Sequence, residues 1–245
     1  MKTKATVSDP TVSDPTVSDP TVSDSTVSDL PARAIRVDVF SDIACPFCLI
    51  GDVRLERVLN RHPDLELNWF WHPFQLQPDL PKRGVPWNEF SRQKFGSTEG
   101  RRAAFAQVVL NGSSEGIEFD FERMPVAPNT LDAHRLVLLA SAQGLGKPMS
   151  RALYRAYFCE ARDITDPNVL EQLAVGIGLE EGAVRELLAG STFSDEVQAS
   201  QLEASKLGVS GVPFYVFNQK FALSGAQPPK MFEMALERAL NVQSV

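Results

Sequence analysis

The sequence predicts an α/β fold in which a small sheet domain, built from a βαβ half and a ββα half, is interrupted by a large helical insertion. Short apolar runs typical of strands occur near residues 35–40, 65–71 and 213–223. Between the last two lies a long stretch with helical periodicity and almost no strand signal. Of the 245 residues, 43% are hydrophobic and 22% are charged, which is ordinary for a globular protein.

The first strand, helix and second strand follow one another closely. Residues 35–40 alternate between apolar and charged side chains, as a strand does when one face is buried. After a short loop, apolar residues recur at helical spacing over residues 46–60. Residues 65–71 alternate again, and prolines interrupt the loop that follows.

The middle of the chain is predicted to be helical because its apolar residues recur with a period near 3.6. The amphipathic stretches are residues 99–109, 130–143, 150–161, 167–175, 180–188 and 194–207.

The end of the chain returns to strands. Residues 213–217 and 220–223 flank Asn218-Gln219, which predicts a β-hairpin with a two-residue turn, and a last helix covers residues 229–240. The domain boundaries follow from this order. Residues 34–80 and 208–245 form the sheet domain, and residues 81–207 form the helical insertion.

The N-terminal segment has a different composition. Residues 6–30 are five copies of a pentapeptide that begins Thr-Val-Ser-Asp. Each copy has one isolated Val and no aromatic residue, so it cannot bury enough apolar surface to offset the entropy of ordering. We expect residues 1–33 to be a disordered tail with no catalytic part.

Charge and hydropathy exclude several classes of protein. The formal charge is −7, and because five Asp and two Lys lie in the first 30 residues, the rest of the chain is only mildly acidic. Nucleic acid is not an expected partner, since phosphate binding needs clustered Lys and Arg. We expect no membrane span, because no apolar run reaches about 18 residues. The start of the chain lacks the pattern of a secretory signal, so we expect a cytoplasmic protein.

The candidate catalytic residues are Cys45 and Cys48, in the run Cys45-Pro46-Phe47-Cys48 at the predicted turn from strand to helix. Thiolates attack disulfides, and the start of a helix favours a thiolate. With Pro46 at the first helical position, Cys45 becomes the N-cap and Cys48 lies one turn further on. We expect Cys45 to be the exposed attacking thiol and Cys48 the buried resolving one. Phe47 offers no charge or hydrogen bond, which predicts a moderately oxidising pair.

A zinc site is the competing interpretation of a CxxC motif. Zinc needs two further ligands, and the chain offers no second CxxC and no closely spaced His pair. We therefore expect no metal. The scattered candidate ligands are Cys159, His62, His72 and His134.

A CxxC at a strand-to-helix turn, followed far downstream by Gly211-Val212-Pro213, resembles the thioredoxin superfamily, and in detail the DsbA family. Within that family the sequence is similar to the FrnE-like branch, which is related to 2-hydroxychromene-2-carboxylate isomerases and kappa-class glutathione transferases. Further collinear motifs extend the resemblance over residues 35–240. They are Ser41-Asp42-Ile43-Ala44 before the dithiol, Pro73-Phe74-Gln75-Leu76, Asn129-Thr130, Ala133-His134-Arg135, Tyr157-Phe158, Arg162-Asp163-Ile164 and Ser224-Gly225-Ala226-Gln227-Pro228.

The resemblance implies a thioredoxin-like fold that carries the helical insertion. It also implies that Pro213 is a cis-proline beside the dithiol and that the backbone of Val212 pairs with an extended substrate. Related isomerases and transferases have Ser where this chain has Cys45, so thiol chemistry is favoured. The other residues expected to bind substrate are Asp42, Phe74, Asn129, Thr130, His134 and Gln227.

Some of these residues also have structural interpretations. Asp42 either caps the turn before Cys45 or shuttles protons during exchange. His134 is either a core residue on an apolar helix face or part of a substrate pocket. Cys159 is expected to be a small buried hydrophobe, with a role as an extra redox thiol as the alternative. One aromatic cluster is expected to form core and cleft wall: Trp69, Phe70, Trp71 and Phe74.

The leading hypothesis is a cytoplasmic thiol-disulfide oxidoreductase or isomerase, in which Cys45 forms a mixed disulfide that Cys48 resolves. Its expected partners are proteins with disulfides or thiols, or small thiols. No bound cofactor is expected, glutathione is a candidate redox partner, and relatives often form homodimers. One alternative is a glutathione-dependent isomerase or transferase of a small aromatic molecule. Another is a redox-switched binding or chaperone module.

Overall fold

The structure, a computed structural model, describes residues 34–241 and has in that range a four-stranded sheet, a two-stranded ladder and nine helices. The strands are β1 (Ala34–Ser41), β2 (Glu66–Pro73), β3 (Val85–Pro86), β4 (Val126–Ala127), β5 (Phe214–Phe217) and β6 (Phe221–Ser224). The helices are α1 (Pro46–Leu59), α2 (Trp87–Phe95), α3 (Thr98–Ser114), α4 (Leu131–Ser141), α5 (Gly146–Phe158), α6 (Pro167–Gly176), α7 (Glu181–Ala189), α8 (Ser194–Lys206) and α9 (Pro229–Asn241).

The main sheet has the strand order β2-β1-β5-β6. Strand β1 pairs in parallel with β2, with Val37 opposite Trp69, and α1 makes the connection between them. On its other side β1 pairs antiparallel with β5, with Val37 opposite Phe217. Strands β5 and β6 form the predicted hairpin. Its turn residues Asn218 and Gln219 have φ angles of 47° and 56°, as a type I′ turn requires.

Two apolar clusters meet at the end of β1. The first fills one face of the sheet, where Ile35, Val37 and Val39 pack with Leu55 of α1 and Phe232 of α9. The second fills the helical part of the chain, from α2 to α7, and extends to the first turn of α1. Both cysteines of the CxxC motif belong to this second cluster. The dithiol therefore lies at the junction between the sheet and the helical part.

The predicted α/β, thioredoxin-like fold class is confirmed, but some elements differ. Helix α2 is largely polar. Its first residue, Trp87, is buried, and the indole N–H of Trp87 donates to the Phe121 carbonyl over 2.9 Å. Helix α5 ends before the predicted boundary, since Ala161 has a φ of 51° and cannot continue a right-handed helix. The two-residue strands β3 and β4 pair only with each other, and they are too short to leave a recognisable pattern in the sequence.

The predicted N-terminal repeat tail lies outside the described residues. Within residues 34–241, no helix combines the length and the apolar character that crossing a bilayer requires.

Candidate active site

The dithiol lies at the N-terminus of α1. Cys45 is the N-cap, with extended backbone angles of −102° and 111°, and Pro46 opens the helix as predicted. The Cys45 N–H donates to the Asp42 carbonyl over 3.0 Å, and the Cys48 N–H donates to the Cys45 carbonyl over 3.0 Å. Main-chain hydrogen bonds thus hold the two cysteines one helical turn apart.

The prediction that Cys45 is exposed is wrong. Cys45 is only 5% exposed and Cys48 only 1%, whereas Phe47 between them is 38% exposed. Cys45 is covered because the backbone before Pro213 passes over it, and the Cys45 thiol donates to the Val212 carbonyl over 3.4 Å. Both cysteines are free thiols in the structure. The predicted order of burial, with Cys48 deeper, is kept.

The segment that covers the dithiol is held by its own contacts. The Val212-Pro213 peptide bond is cis, as the family resemblance implies. The Pro213 carbonyl accepts a 2.8 Å hydrogen bond from the Gly225 N–H. On α1, Gly51 permits close packing, because a Cβ there would overlap the Tyr215 hydroxyl and lie 3.2 Å from the Pro213 ring. The distance between helix and hairpin therefore depends on a residue without a side chain.

Cys48 is buried in the apolar cluster of the helical part. Burial raises the pKa of the Cys48 thiol well above its ordinary value, and the neighbouring Cys45 sulfur adds to this. The Ser41 side chain and the Asp42 backbone act in the opposite direction and lower this pKa. The Ser41 hydroxyl also lies 2.6 Å from the buried Tyr154 hydroxyl.

Asp42 and His134 form a buried pair next to the dithiol loop. Asp42 Oδ1 accepts from the Ala44 N–H over 3.2 Å, and its Oδ2 accepts from the Leu76 N–H over 2.7 Å. His134 Nε2 lies 3.3 Å from Asp42 Oδ1, but among the described residues neither ring nitrogen of His134 has a hydrogen-bond partner. The two are fully buried, since Asp42 is 1% and His134 0% exposed. Asp42 thus caps the loop, as one interpretation predicted.

Asn129 anchors the loop that follows β2. Its Nδ2 donates to the carbonyls of Pro78 (3.2 Å) and Leu80 (2.7 Å), and its Oδ1 accepts from Gln75 Nε2 (3.1 Å) and the Leu131 N–H (3.0 Å). The side-chain amide has no further hydrogen-bonding capacity. A substrate would therefore have to displace one of these bonds, and the substrate-binding role of Asn129 stays a prediction.

Three other predicted site residues lie around the same junction. Thr130 is buried, and its carbonyl accepts from the His134 N–H over 2.9 Å. Phe74 packs in a small cluster under α8. Gln227 is half-buried and donates to the Ser224 carbonyl over 2.8 Å. Their roles in substrate binding also stay predictions.

The aromatic cluster and the third cysteine differ from expectation. Trp71 is buried and its ring centroid lies 5.7 Å from that of His134, but Phe70 is exposed on the far side of β2 under the Arg36 guanidinium. Strand alternation places these neighbours on opposite faces. Cys159 is half-buried rather than buried, and burial raises the pKa of its thiol. Within residues 34–241, no three His, Cys, Asp or Glu side chains are grouped as a metal site requires.

Sequence reasoning missed several residues that shape the site. Ser41 immediately precedes Asp42 in the motif that carries the family resemblance, so its position was a usable signal. Tyr154 lies 113 positions from Ser41 and looks like any apolar-face residue of α5. Gly51 and Tyr215 gave no local signal, because their contact joins α1 to β5, which lie far apart in the sequence.

Comparison with known proteins agrees with this geometry. The family model described as DSBA-like thioredoxin domain matches residues 36–237. A probable DsbA oxidoreductase from Streptomyces coelicolor, known from its crystal structure, is 35% identical. That match covers 84% of this chain and 90% of the other, with a TM-score of 0.77.

Two more distant relatives extend the comparison. The uncharacterized protein YwbO of Bacillus subtilis (strain 168) is 26% identical over 203 residues, which covers 82% of this chain and 96% of YwbO. The cytosolic disulfide reductase DsbM from Pseudomonas aeruginosa is 21% identical, with a TM-score of 0.60, and the match covers 84% of this chain and 99% of DsbM. At that identity, the likeness to DsbM shows a shared fold.

Proposed function

The chain belongs to the family of DsbA-like thioredoxin domains, and from this premise we propose that it catalyses thiol-disulfide exchange through Cys45 and Cys48. One observation carries the proposal. The two cysteines lie one turn apart at the start of α1, and the Val212 carbonyl contacts the Cys45 thiol. A dithiol in this position can close into a disulfide without moving the helix.

The exchange has two steps. The Cys45 thiolate attacks one sulfur of a substrate disulfide, which forms a mixed disulfide and releases the first substrate thiolate. The Cys48 thiolate then attacks the Cys45 sulfur, which forms the Cys45–Cys48 disulfide and releases the second substrate thiolate. Two electrons pass from the protein to the substrate, and the two cysteine protons end on the substrate thiols. The reverse sequence oxidises a dithiol.

The covering backbone supplies a place for the substrate. Val212 is half-buried, and its carbonyl contacts the Cys45 thiol, so its peptide group lies beside the attacking sulfur. An extended peptide that pairs with this backbone would bring its disulfide to Cys45. Phe47 adds an exposed aromatic surface at the same position. Proteins or small molecules with disulfides are the proposed substrates.

The proposal includes a cytoplasmic location and a small thiol, such as glutathione, that regenerates the dithiol. Three free cysteines are too few for a disulfide-stabilised secreted framework, and thiols are kept reduced in the cytoplasm. A small thiol can reduce the Cys45–Cys48 disulfide in two exchanges.

The chain offers a matched set of variants for testing the proposed function. We expect Cys45→Ser to abolish cleavage of a fluorescent peptide disulfide, because the attacking sulfur is gone. We expect Cys48→Ala to accumulate a mixed disulfide at Cys45, which intact-mass spectrometry detects. The control is Cys159→Ser, which removes the third thiol and should leave the rate unchanged.

Full activity of Cys45→Ser would falsify this assignment. Turnover of the peptide disulfide by Cys48→Ala without an accumulated mixed disulfide would contradict the resolving role. Far-ultraviolet circular dichroism of each variant shows whether the fold is kept.

A further inference from the structure

Helix α1, which carries the dithiol, also carries a buried charged side chain that the exchange reaction does not use. Arg54 is only 9% exposed. Removing a guanidinium from water is costly unless its N–H groups find partners in the protein. The partners of Arg54 therefore show which parts of the fold it joins.

The Arg54 guanidinium joins α1 to two other parts of the chain. Its Nε donates to Glu115 Oε1 over 2.8 Å and its Nη2 donates to Asn111 Oδ1 over 3.3 Å, both at the end of α3. Its Nη1 donates to the Ala226 carbonyl over 2.5 Å, in the loop after β6. A planar guanidinium can donate in several directions at once, as this position requires.

The loop after β6 is in turn bonded to the segment that covers the dithiol. The Gly225 N–H donates to the Pro213 carbonyl over 2.8 Å, and Gly225 directly precedes Ala226. The carbonyl of Val212, the residue before Pro213, accepts from the attacking thiol over 3.4 Å. A path of hydrogen bonds and backbone therefore runs from Arg54 to the peptide group beside the attacking sulfur.

We propose that Arg54 is a positioning residue for peptide substrates. By holding the Ala226 carbonyl, it fixes the loop that bonds Pro213, and so keeps the Val212 backbone where an extended peptide can pair with it. Its own hydrogen bonds go to α3 and to this loop, so Arg54 acts on peptide binding and not on the sulfur chemistry. The inference rests on the proposed function, because it concerns the peptide-binding part of that exchange.

Glu115 supplies the opposite charge for the buried guanidinium. Its side chain is 4% exposed, and its Oε2 also pairs with Arg57 over 2.5 Å. The ion pair holds the guanidinium in place, while Nη1 makes the contact with Ala226. The two contributions can be tested separately, because Glu115→Gln removes the negative charge but keeps an oxygen that can accept from Arg54 Nε.

Single-turnover kinetics of the reduced protein with two disulfides separate peptide binding from sulfur chemistry. For the fluorescent peptide disulfide, we expect Arg54→Met to raise the half-saturating concentration about 10-fold, the effect of losing one hydrogen bond from a charged group. The limiting rate should change little. Hydroxyethyl disulfide has no peptide backbone to pair with Val212, so its rate should not fall. Glu115→Gln should raise the half-saturating peptide concentration by a smaller factor.

Arg101 provides a matched control. It is 7% exposed, and its guanidinium donates to Glu122 over 2.6 Å and to the Ser91 and Asn88 side chains over 3.4 Å each, all in the helical part of the chain. Arg101→Met therefore also removes a buried guanidinium from its ion pair, but at a place with no bond to the loop after β6. We expect it to leave the kinetics with both disulfides unchanged.

Amide hydrogen exchange followed by NMR tests the inference without any enzyme activity. We expect Arg54→Met to lower the protection of the Gly225 N–H about 10-fold or more, because the loop that carries it is released. The Asn218 N–H, which donates to the Arg36 carbonyl over 2.9 Å at the other end of the hairpin, should keep its protection. Arg101→Met should change neither amide.

The outcomes separate the two proposals. An unchanged half-saturating peptide concentration in Arg54→Met, equal slowing with both disulfides, or unchanged protection of the Gly225 N–H would overturn the positioning role. An equal effect of Glu115→Gln or of Arg101→Met would do the same, since the Ala226 contact would then not explain it. If the wild-type protein cleaves neither disulfide, the proposed function fails, while the protection of Gly225 still tests whether Arg54 holds the loop.

A second substitution covers the case in which Arg54→Met does not fold. Arg54→Lys keeps a positive charge beside Glu115 but lacks the fork that reaches Ala226 at the same time. We expect the same direction of change in peptide kinetics and in the protection of Gly225, and unchanged values in both would overturn the inference.

Discussion

Two Asp-His pairs begin at Asp38 and Asp42 near the end of β1, and they differ in burial: the His72 side chain is 20% exposed, whereas His134 is fully buried. In the first, Asp38 on β1 meets His72 on β2, with His72 Nε2 2.8 Å from Asp38 Oδ1. Arg36 completes this pair with two hydrogen bonds of 2.8 Å and 2.7 Å to the same carboxylate. In the second, Asp42 bonds backbone N–H groups, and His134 of α4 approaches to 3.3 Å without a hydrogen bond.

Asp38 and His72 both belong to the sheet, whereas Asp42 follows β1 and His134 belongs to α4 in the helical part. Asp38 and His72 stand on neighbouring paired strands, so the pairing that forms the sheet also brings them together. Burial alone would raise the pKa of Asp38, but the hydrogen bonds from His72 and Arg36 outweigh it, and its pKa lies below the ordinary value. Asp42 instead ties the dithiol loop to the loop after β2, and His134 adds a contact from the helical part.

The largest expected effect comes from removing each carboxyl group. We expect Asp42→Ala to lower the free energy of unfolding by about 3–5 kcal/mol, because it removes a fully buried carboxyl group that accepts two backbone hydrogen bonds. Asp38→Ala should cost less, about 1–3 kcal/mol, since the Arg36 side chain is 18% exposed and can reach water. Urea unfolding measures both values, and the reverse order would contradict the comparison.

The two histidines should differ in the same experiment by a smaller amount. His72→Leu removes a hydrogen bond to Asp38 and a ring stack on Phe40 with centroids 4.5 Å apart. We expect a loss of about 1–2 kcal/mol. His134→Leu removes no hydrogen bond, and Asp42 keeps its two N–H donors, so we expect a change below about 1 kcal/mol. Equal losses would mean that His134 stabilises Asp42 as strongly as His72 stabilises Asp38.

The smallest expected effect on stability comes from Glu56, a partly exposed carboxylate that serves as a reference for the two Asp-His pairs. Hydrogen bonds from Arg151 and Lys147 outweigh burial and lower the pKa of Glu56 from 4.5 to about 2. Because its folded pKa is depressed, Glu56 stabilises the protein above its unfolded pKa, and this contribution is lost as the pH falls from about 4.5 to about 2.

We expect Glu56→Gln to cost under about 1 kcal/mol at neutral pH, after solvent screening. Chemical unfolding across the acid range should show the difference from wild type shrinking in that window. A difference that stayed constant with pH would show that lost packing, and not lost charge, explains it.

The dithiol shows which parts of the site the sequence could predict. Strand alternation, the CxxC motif and Pro46 are local signals, and they placed Cys45 and Cys48 correctly at the start of α1. Burial of Cys45 was not predictable, because the Val212 backbone that covers it comes from the other end of the chain.

Charged side chains were hard to place for the same reason. Arg135 lies on α4 with 1% exposure, where a solvent-facing position would be the default. Its guanidinium donates to the Gly190 carbonyl over 2.8 Å and the Thr192 carbonyl over 2.7 Å, beyond the end of α7. It also pairs with Asp132 over 2.6 Å. Carbonyl partners from a loop more than 50 residues away leave no periodic pattern in the sequence.

The position of β1 has a consequence for synthesis on the ribosome. One edge of β1 pairs with β2, which follows soon after, but its other edge pairs with β5, which is made only after the whole helical part. At about 5–20 residues per second, the chain between Pro73 and Phe214 takes on the order of ten seconds to emerge. During that interval Cys45 lacks the cover of Val212. The nascent chain therefore exposes the Cys45 thiol until the Val212 backbone that covers it has been made.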